Sequence, residues 1–135
     1  MSHIEQIPAE LTWQIRRKVL YPGMDPEISR LPDDEQGMHL GLFDNNVLIS
    51  VVSLFKDGSS MQFRKFATIA EYQRQGYGSE LLEYVLEVSK TEGCLRIWCN
   101  ARKNASEFYG KFGFSNTDQT FQKNGHEFVI MEKIL

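Results

Sequence analysis

The apolar positions between residues 9 and 20, "AELTWQIRRKVL", recur at helical spacing. Leu11, Ile15 and Val19 fall on one face, and three cations lie largely away from it: Arg16, Arg17 and Lys18. A proline and a glycine follow almost directly, so the pattern predicts a helix that ends near residue 20. The polar stretch from residue 24 to 37, "MDPEISRLPDDEQG", predicts a loop with at most one short helix.

After residue 37 the apolar positions follow the pattern of strands. Three stretches, "MHLGLF", "VLISVVSLF" and "MQFRKFATI", are separated by the turn signals "DNN" and "KDGSS". The pair Asp57-Gly58 is a strong hairpin signal, because glycine takes a positive φ without steric cost. The pattern therefore predicts an antiparallel meander. Alternation in its third strand gives one face to Met61, Phe63, Lys65 and Ala67, and the other to Gln62, Arg64, Phe66 and Thr68.

A polar loop and a second helical pattern follow the meander. In "QRQGYGSELLEYVLEVSK", apolar positions at helical spacing begin beside two glycines, and Gly93 stands where a left-handed cap would end the helix. The apolar stretch "CLRIWC" predicts a buried strand, and its connection through one helix favours parallel pairing. A helix over "KNASEFYGKF", broken by Gly113, a loop after "GFSN" and a strand in "HEFVIMEKIL" complete a mixed α/β (α+β) fold.

The composition narrows the class of protein. With 135 residues, 41% hydrophobic and 24% charged, the chain suits one globular domain over residues 1–135. A net charge of −3 argues against nucleic-acid binding by bulk electrostatics, and no apolar run approaches the roughly 20 residues that span a bilayer. Cys94 and Cys99 fall on opposite faces of one predicted strand, so we expect reduced thiols in a cytoplasmic protein that uses no metal.

The loop before the second helix is the first candidate for chemistry. A helix start presents N–H groups without partners in their own helix, and the peptide dipoles add partial positive charge there. Gly76 and Gly78 would let a bulky phosphate reach this backbone, although a plain tight turn also explains them. A P-loop is excluded because no Gly-Lys-Ser or Gly-Lys-Thr occurs, and a dinucleotide fingerprint is excluded because Leu81 replaces its third glycine.

Two blocks of the sequence together resemble the GNAT superfamily of N-acetyltransferases. The stretch "ATIAEYQRQGYGSELL" is similar to its acetyl-CoA-binding motif, [QR]-x-x-G-x-[GA], through Gln73, Gly76 and Gly78. The stretch "ARKNASEFYGKFGF" is similar to a later helix of the family, A-x-x-F-Y-x-x-x-G-F, through Ala105, Phe108, Tyr109, Gly113 and Phe114. One predicted helix and one strand lie between the blocks, and the resemblance covers nearly the whole chain.

The resemblance implies a mostly antiparallel sheet splayed between its fourth and fifth strands, with acetyl-CoA in the V-shaped gap. It implies that backbone N–H groups of one loop hold the CoA pyrophosphate: Arg74, Gln75, Gly76, Tyr77, Gly78 and Ser79. It assigns the pantetheine arm to main-chain groups of Phe66, Ala67 and Thr68. Many members also use an asparagine seven residues before the tyrosine. Here that place is Arg102, with Asn104 two further on, and both stay candidates for the contact.

The resemblance also implies a reaction, in which an acetyl group moves to a primary amine by direct attack on the thioester. Tyr109 matches the position of the acid that protonates the leaving thiolate. The general base stays open among Asp34, Glu35, His39 and Glu71. Of these we expect His39, alone at a strand start, to be a surface residue, and the acidic side chains to be solvated.

The acceptor is expected to be a small-molecule or peptide amine. It would be held by residues 24–37 and by the last hairpin, "TDQTFQKNGHEF". Asp33, Asp34 and Glu35 suggest a cationic amine by charge matching, although a solvated acidic loop explains them too. A non-catalytic acyl-CoA sensor of the same fold is the alternative, and it would not need Tyr109. We expect no nucleic-acid or membrane partner, and the resemblance allows a homodimer.

Overall fold

A computed structural model describes residues 1–135 as one sheet with helices on both faces. The helices are α1 (Glu10–Leu20), α2 (Tyr77–Thr91) and α3 (Ser106–Gly110). The strands are β1 (Ser2–Ile7), β2 (Met38–Asp44), β3 (Val47–Asp57), β4 (Ser60–Thr68), β5 (Arg96–Arg102), β6 (Ser115–Lys123) and β7 (His126–Ile134). Short 3₁₀ turns occupy Pro26–Ser29, Asp34–Gln36, Ala70–Tyr72 and Lys103–Ala105. None of the helices combines the length and the apolar content that a membrane crossing requires.

The strands lie in the order β1-β2-β3-β4-β5-β7-β6, and only β4 and β5 run parallel. This confirms the mixed, mostly antiparallel sheet and the crossover through α2. The parallel pairing is short, because it extends only from Ser60 opposite Arg96 to Gln62 opposite Trp98. Beyond these residues the two strands separate, which confirms the splayed sheet and creates a gap in its middle.

Helices α1 and α2 cover opposite faces of the sheet. Ile15 of α1 packs with Val51 and Ala67 in a small core. Leu81 of α2 belongs to a core of 17 buried residues that includes Val52. Because neighbouring residues of a strand point to opposite faces, Val51 and Val52 mark two sides. These sides are called the α1 face and the α2 face below.

Two strands and one segment differ from the sequence-based prediction. β1 was not predicted, and β6 was interpreted as a loop after "GFSN". Eight of the nine β6 residues are exposed, so no apolar period marks the strand, and pairing with β7 defines it. Residues 24–37 contain two 3₁₀ turns rather than one short helix.

Helix α1 begins and ends as predicted, but its buried face was assigned wrongly. Leu11 is 49% exposed, whereas Arg16 is fully buried next to Ile15. Thr12 is also buried, and its hydroxyl donates a hydrogen bond to the carbonyl of Ala9. An arginine on an apolar face is ordinarily solvated, so burial of this one requires a partner that helical spacing cannot reveal.

The partner of Arg16 is Asp34, in the polar stretch that precedes β2. Arg16 Nη1 and Nη2 each lie 3.0 Å from one oxygen of this carboxylate, in a bidentate pair. The guanidinium also donates to the carbonyl of Ser29 and to the hydroxyl of Ser53. His39 bridges the same Ser53 hydroxyl, at 2.7 Å, and the Asp34 carbonyl, at 2.8 Å. One buried network thus ties α1, residues 29–34 and two strands together.

Asp34 is ionised in this network. Burial alone would raise the pKa of its carboxyl group, but hydrogen bonds from Arg16, from the Leu31 N–H and from Trp13 outweigh burial and lower that pKa. The interpretation of His39 as a surface residue is wrong, because only 4% of it is exposed. Asp34 and His39 therefore serve the packing of α1 against the sheet.

Strand β4 contains an extra residue that period-two alternation cannot show. Val51 pairs with Ala67 and Ser53 pairs with Arg64, so two steps along β3 correspond to three along β4. Within this irregularity Lys65 has a φ of 56°, in the left-handed region. This is a β-bulge, which bends a strand and redirects its side chains.

The bulge reverses the predicted alternation at the end of β4. Phe63 and Ala67 were predicted on one face and Phe66 on the other. Instead, Phe66 packs edge-on against Phe63 on the α2 face, with ring centroids 6.1 Å apart. Ala67 packs beneath α1. The prediction is wrong here because an inserted residue changes the phase of every residue after it.

We predict that Asp34→Asn destabilises the fold by about 3–5 kcal/mol, because it leaves the Arg16 charge buried without a counter-charge. The measurement is the free energy of unfolding from urea denaturation. Asp33→Asn is the matched control: it removes a carboxylate that is 47% exposed and pairs with Arg64 at 2.9 Å. Its loss should stay below about 1 kcal/mol. Similar small losses in both variants would contradict the structural role of the buried pair.

Candidate active site

The separation of β4 from β5 opens a cleft of about 340 Å³. Its walls are the end of α1, residues 63–66 of β4, the end of β5, the start of α3 and the hairpin between β6 and β7. A larger open depression, of about 740 Å³, lies along residues 60–62 and 96–98, where the strands are still paired. Only the smaller cleft includes Tyr109 and the bulge of β4. It is therefore the candidate site.

The loop that opens α2 leaves a run of backbone donors free. None of the six N–H groups from Arg74 to Ser79 donates a hydrogen bond within the protein, and the first bond after them runs from Glu80 to the Gly76 carbonyl. No side chain caps the helix either. A helix start with free N–H groups and aligned dipoles is suited to binding an anion.

The conformation of this loop alternates in a way that suits an anion. Arg74 has a φ of 63° and Gly76 a φ of 90°, both in the left-handed region. Left-handed residues that alternate with ordinary ones turn successive N–H groups toward one concavity, called a nest. The Gln73 and Gln75 side chains hold the loop by donating to the carbonyls of Thr68 and Glu71.

The two glycines of the motif have different reasons to be glycine. Gly76 needs the freedom to adopt its positive φ, and a Cβ there would meet nothing within 4 Å. Gly78 has an ordinary helical conformation, and a Cβ there would lie 3.7 Å from Phe66 and 3.9 Å from Phe108. Those distances are ordinary contacts, so packing alone does not require glycine at position 78. Gly78 lies next to Phe66, which lines the cleft.

Tyr109 lies in a cluster of aromatic rings at the cleft. Its ring centroid is 5.5 Å from Phe63, 6.5 Å from Phe66 and 5.3 Å from Phe108. Phe66 and Phe108 are also the rings closest to Gly78, so these two side chains bridge the loop and the tyrosine. The Tyr109 hydroxyl forms no hydrogen bond with another side chain or the backbone, which leaves it free for a ligand in the cleft.

Burial raises the pKa of Tyr109 above its ordinary range, and the nearby Cys99 adds to this effect. The phenol is therefore neutral at physiological pH, and its hydroxyl is a donor. Burial likewise raises the pKa of Cys99 to about 12, so its thiol is protonated and unreactive. Both cysteines are free and buried, as the sequence predicted.

The other predicted cofactor contacts lie on β4, at the end of β5 and in the turn before α3. Beyond Gln62, the backbone of β4 that faces β5 has no strand partner, and Phe66, Ala67 and Thr68 lie in this stretch. Asn104 is exposed in the turn before α3. Arg102 points away from the loop: its Nη2 approaches the Leu20 carbonyl at the end of α1, at 3.5 Å.

Of the four candidates for a general base, none lines the cleft. Asp34 and His39 belong to the buried network, and Glu35 and Glu71 are exposed. The cleft instead contains cations that our sequence analysis did not propose there, among them Lys65 and Lys123. The sequence did not indicate Lys65, because the β4 bulge determines where its side chain points. It did not indicate Lys123, because β6 lacks the alternating apolar residues that would predict a strand.

The sequence matches a known protein family along most of its length. A family model described as an acetyltransferase (GNAT) domain matches residues 17–135. The chain is 30% identical over 145 residues to the uncharacterized N-acetyltransferase YitI of Bacillus subtilis (strain 168), covering 100% of this chain and 97% of that protein.

Solved structures show the same fold. One is a GNAT family acetyltransferase from Elizabethkingia anophelis with acetyl-CoA bound, with a TM-score of 0.79 at 18% identity over 99% of this chain and 98% of that one. Another is a Bacillus subtilis acetyltransferase in complex with CoA, with a TM-score of 0.77 at 19% identity over 100% and 99% of the two chains. Because the family model covers well over half of the sequence, the chain belongs to the GNAT family of N-acetyltransferases.

Proposed function

We propose that the protein transfers the acetyl group of acetyl-CoA to a primary amine by direct attack of the amine on the thioester. The observation that carries this proposal is the run of six unpartnered N–H groups from Arg74 to Ser79, which opens α2 beside the cleft. The structures from Elizabethkingia anophelis and Bacillus subtilis, which contain acetyl-CoA and CoA, support the choice of ligand.

The pyrophosphate of the cofactor would be bound by the loop, because six N–H groups and the α2 dipole offer donors and positive potential to a dianion. The pantetheine arm would run along the edge of β4 that faces β5, in the stretch of Phe66, Ala67 and Thr68, which has no partner in β5. Ala67 directs its own backbone groups toward Val51 of β3, so Phe66 and Thr68 are the residues that would bond to the arm. An extended amide chain can bond to such an edge as an added strand does. A contact of Asn104 with the same arm stays a prediction, whereas Arg102 approaches the Leu20 carbonyl at the end of α1, so we do not assign it to the arm.

The amine must lose a proton before it attacks. An alkylammonium has a pKa near ~10.4, so about one molecule in ~2,500 is neutral at pH 7, a deficit of roughly 4–5 kcal/mol. We assign the base to none of Asp34, Glu35, His39 and Glu71, because none of them lines the cleft. Water in the open cleft would therefore take this proton and the second proton that the nitrogen loses as the amide forms. The nitrogen then forms a bond to the carbonyl carbon, and the free N–H groups of β4 are donors for the oxyanion.

Collapse of the tetrahedral intermediate breaks the carbon–sulfur bond, and the thiolate of CoA leaves with the electron pair. The Tyr109 hydroxyl is free to donate to this sulfur. Because burial raises the pKa of the phenol, transfer of its proton to a thiolate of pKa near ~8.5 is uphill. Tyr109 would therefore act mainly by a charge-assisted hydrogen bond to the sulfur.

We predict that Ser79→Asp weakens acetyl-CoA binding roughly 10- to 100-fold, because a carboxylate beside the free N–H groups of the loop would repel the pyrophosphate that they bind. Like charges near a protein surface repel by about 2–3 kcal/mol at separations on the order of 6 Å. The same carboxylate lies in the first turn of α2, where its charge interacts favourably with the helix dipole. The free energy of unfolding of the ligand-free protein should therefore not fall. The dissociation constant is measured by titration calorimetry. Ser79→Asn is the control of equal size, and equal affinities for the two variants would contradict an anion site in the loop.

We predict that Tyr109→Phe lowers kcat about 10- to 100-fold with little change in acetyl-CoA affinity, because a hydrogen bond to a charged group contributes about 1.5–3 kcal/mol. Thiol release is measured with a broad panel of amines. Tyr84→Phe, which removes an exposed hydroxyl of α2, is the control and should match the parent. Full turnover in Tyr109→Phe would remove the proposed role of the phenol. Binding of acetyl-CoA by the parent without turnover of any amine would favour the sensor.

The pH dependence of kcat tests the protonation state of Tyr109. Its raised pKa means that the phenol keeps its proton to a higher pH than an exposed tyrosine does. The rate should therefore rise with pH as the amine loses its proton, and it should not fall through ionisation of Tyr109 up to about pH 10. The Tyr109→Phe profile should have the same shape at a lower height. A loss of rate between pH 8 and 10 in the parent alone would contradict this.

A cytoplasmic location and a homodimer are two further predictions, and each can be tested separately from acetyl transfer. Free buried thiols at Cys94 and Cys99 agree with a cytoplasmic location, where thiols are kept reduced. A homodimer is the second prediction, and sedimentation of the purified protein measures it directly.

A further inference from the structure

The cleft is lined by five basic side chains and by no carboxylate. These are Arg64, Lys65, Arg102, Lys123 and His126. The protein as a whole carries a net charge of −3, so this concentration of basic side chains is not a consequence of its composition. The three acidic residues proposed to attract a cationic amine, at positions 33–35, do not line the cleft. Asp33 pairs with Arg64, and Asp34 pairs with the buried Arg16.

Lys65 has no acidic partner although it is half-buried. Its ammonium group donates to the Tyr21 hydroxyl and lies 4.9 Å from the centre of the Tyr21 ring. No carboxylate oxygen lies within 4.0 Å of this ammonium group. Arg64 and Lys103, in contrast, each have a carboxylate partner within that distance. The φ of Lys65 lies in the left-handed region at the β4 bulge, and this backbone conformation directs the side chain into the cleft.

Arg102 is the second half-buried cation without a carboxylate. Its side chain makes one hydrogen bond within the protein, the 3.5 Å approach to the Leu20 carbonyl, which is at the limit for such a bond. A guanidinium has five N–H donors, so most of its capacity is unused. Its planar fork matches a carboxylate or a phosphate in a bidentate way.

Both cations lie at the end of α1, and the Gly-rich loop lies at the start of α2. These helices cover opposite faces of the sheet. The loop therefore faces one mouth of the gap, and Lys65 and Arg102 face the other. A ligand anion at the second mouth is separate from the proposed pyrophosphate at the first. In a reaction that joins two substrates through the gap, this second anion belongs to the acceptor.

Apolar side chains make up much of the same wall. Leu20, Tyr21 and Met24 line it from the end of α1, and Phe121 and Phe128 line it from the hairpin. The last two rings are stacked, with centroids 5.1 Å apart and planes within 8° of each other. Apolar walls with a few charged groups that fix orientation are typical of small-molecule sites.

We infer that the acceptor is an amine with an apolar body and one anionic group, a carboxylate or a phosphate, which Lys65 and Arg102 bind. This inference rests on the proposed acetyl transfer and names its substrate class. It excludes polyamines and other purely cationic amines as preferred acceptors, because the cleft would repel them and offers no carboxylate to compensate.

The test compares amines of one skeleton that differ only in the anionic group: L-phenylalanine, its phosphonate analogue, L-phenylalaninamide and phenethylamine, with an equivalent leucine series. We expect kcat/KM to be at least about tenfold higher for a member with the anionic group than for the two members without it, because that group can form a bidentate pair with Arg102. The amide has the less basic amine and so the larger neutral fraction at pH 7, and therefore a preference for the acid cannot come from a larger population of neutral amine. The ratio of carboxylate to phosphonate distinguishes the two anions.

Two variants connect the selectivity to the named residues. Lys65→Met and Arg102→Met should each raise KM for the anionic amine about tenfold and leave KM for acetyl-CoA within about twofold. Arg102→Lys should restore part of the loss. Lys103→Met is the control, because this neighbour pairs with Glu127 at 3.8 Å and does not line the cleft. If the variants raise KM for acetyl-CoA instead, these cations serve the cofactor and the inference is wrong.

A measurement without turnover separates this inference from the proposed reaction. N-acetyl-L-phenylalanine and N-acetyl-L-leucine are titrated into the protein with CoA, beside their amides. Tighter binding of the acids, lost in Arg102→Met, supports the anion site even if no amine is acetylated. Equal binding of acids and amides, or faster acetylation of the neutral amines, overturns the inference and leaves acetyl transfer intact. Failure of the parent to bind acetyl-CoA overturns the proposed function itself.

Discussion

The site depends on one constraint: β4 and β5 are joined at one end and free at the other. Three residue pairs connect them, and the gap beyond Gln62 provides both the cleft and an unpaired edge of backbone. The β5-facing backbone groups of β4 beyond Gln62 have no strand partner and border the cleft. Beyond the last pair these backbone groups are therefore available to a ligand, and the aromatic cluster around Tyr109 lines the cleft beside them.

The buried pair of Arg16 and Asp34 supports the opposite wall of this gap. It fixes α1 and the segment before β2 to the sheet, and so it determines where the end of α1 meets Lys65. A buried ion pair is costly to assemble, and well-packed apolar residues can be as stable. What the pair provides here is a unique position, because the bidentate geometry and the bonds to Ser53 allow one placement of the helix.

Much of the fold could be predicted from periodicity, and the location of the site from two short motifs. The meander, the crossover and the loop at Gly76 each carry a local signal, because turn residues and helix starts depend on neighbours in sequence. Three features had no such signal. The burial of Arg16 depends on a carboxylate 18 positions away, the direction of Lys65 depends on pairing with β3, and β6 is a strand only because β7 lies beside it.

Strand β6 contributes to the wall of the cleft but hardly to the hydrophobic core. β6 is almost entirely exposed, yet the hairpin it forms with β7 contributes Phe121, Lys123 and His126 to the cleft. Substitutions at exposed positions usually change stability by less than about 0.5 kcal/mol. Descendants of this chain can therefore alter the chemistry of the cleft wall through the hairpin without weakening the core. In evolutionary terms, β6 is where a new specificity can arise at almost no cost to folding.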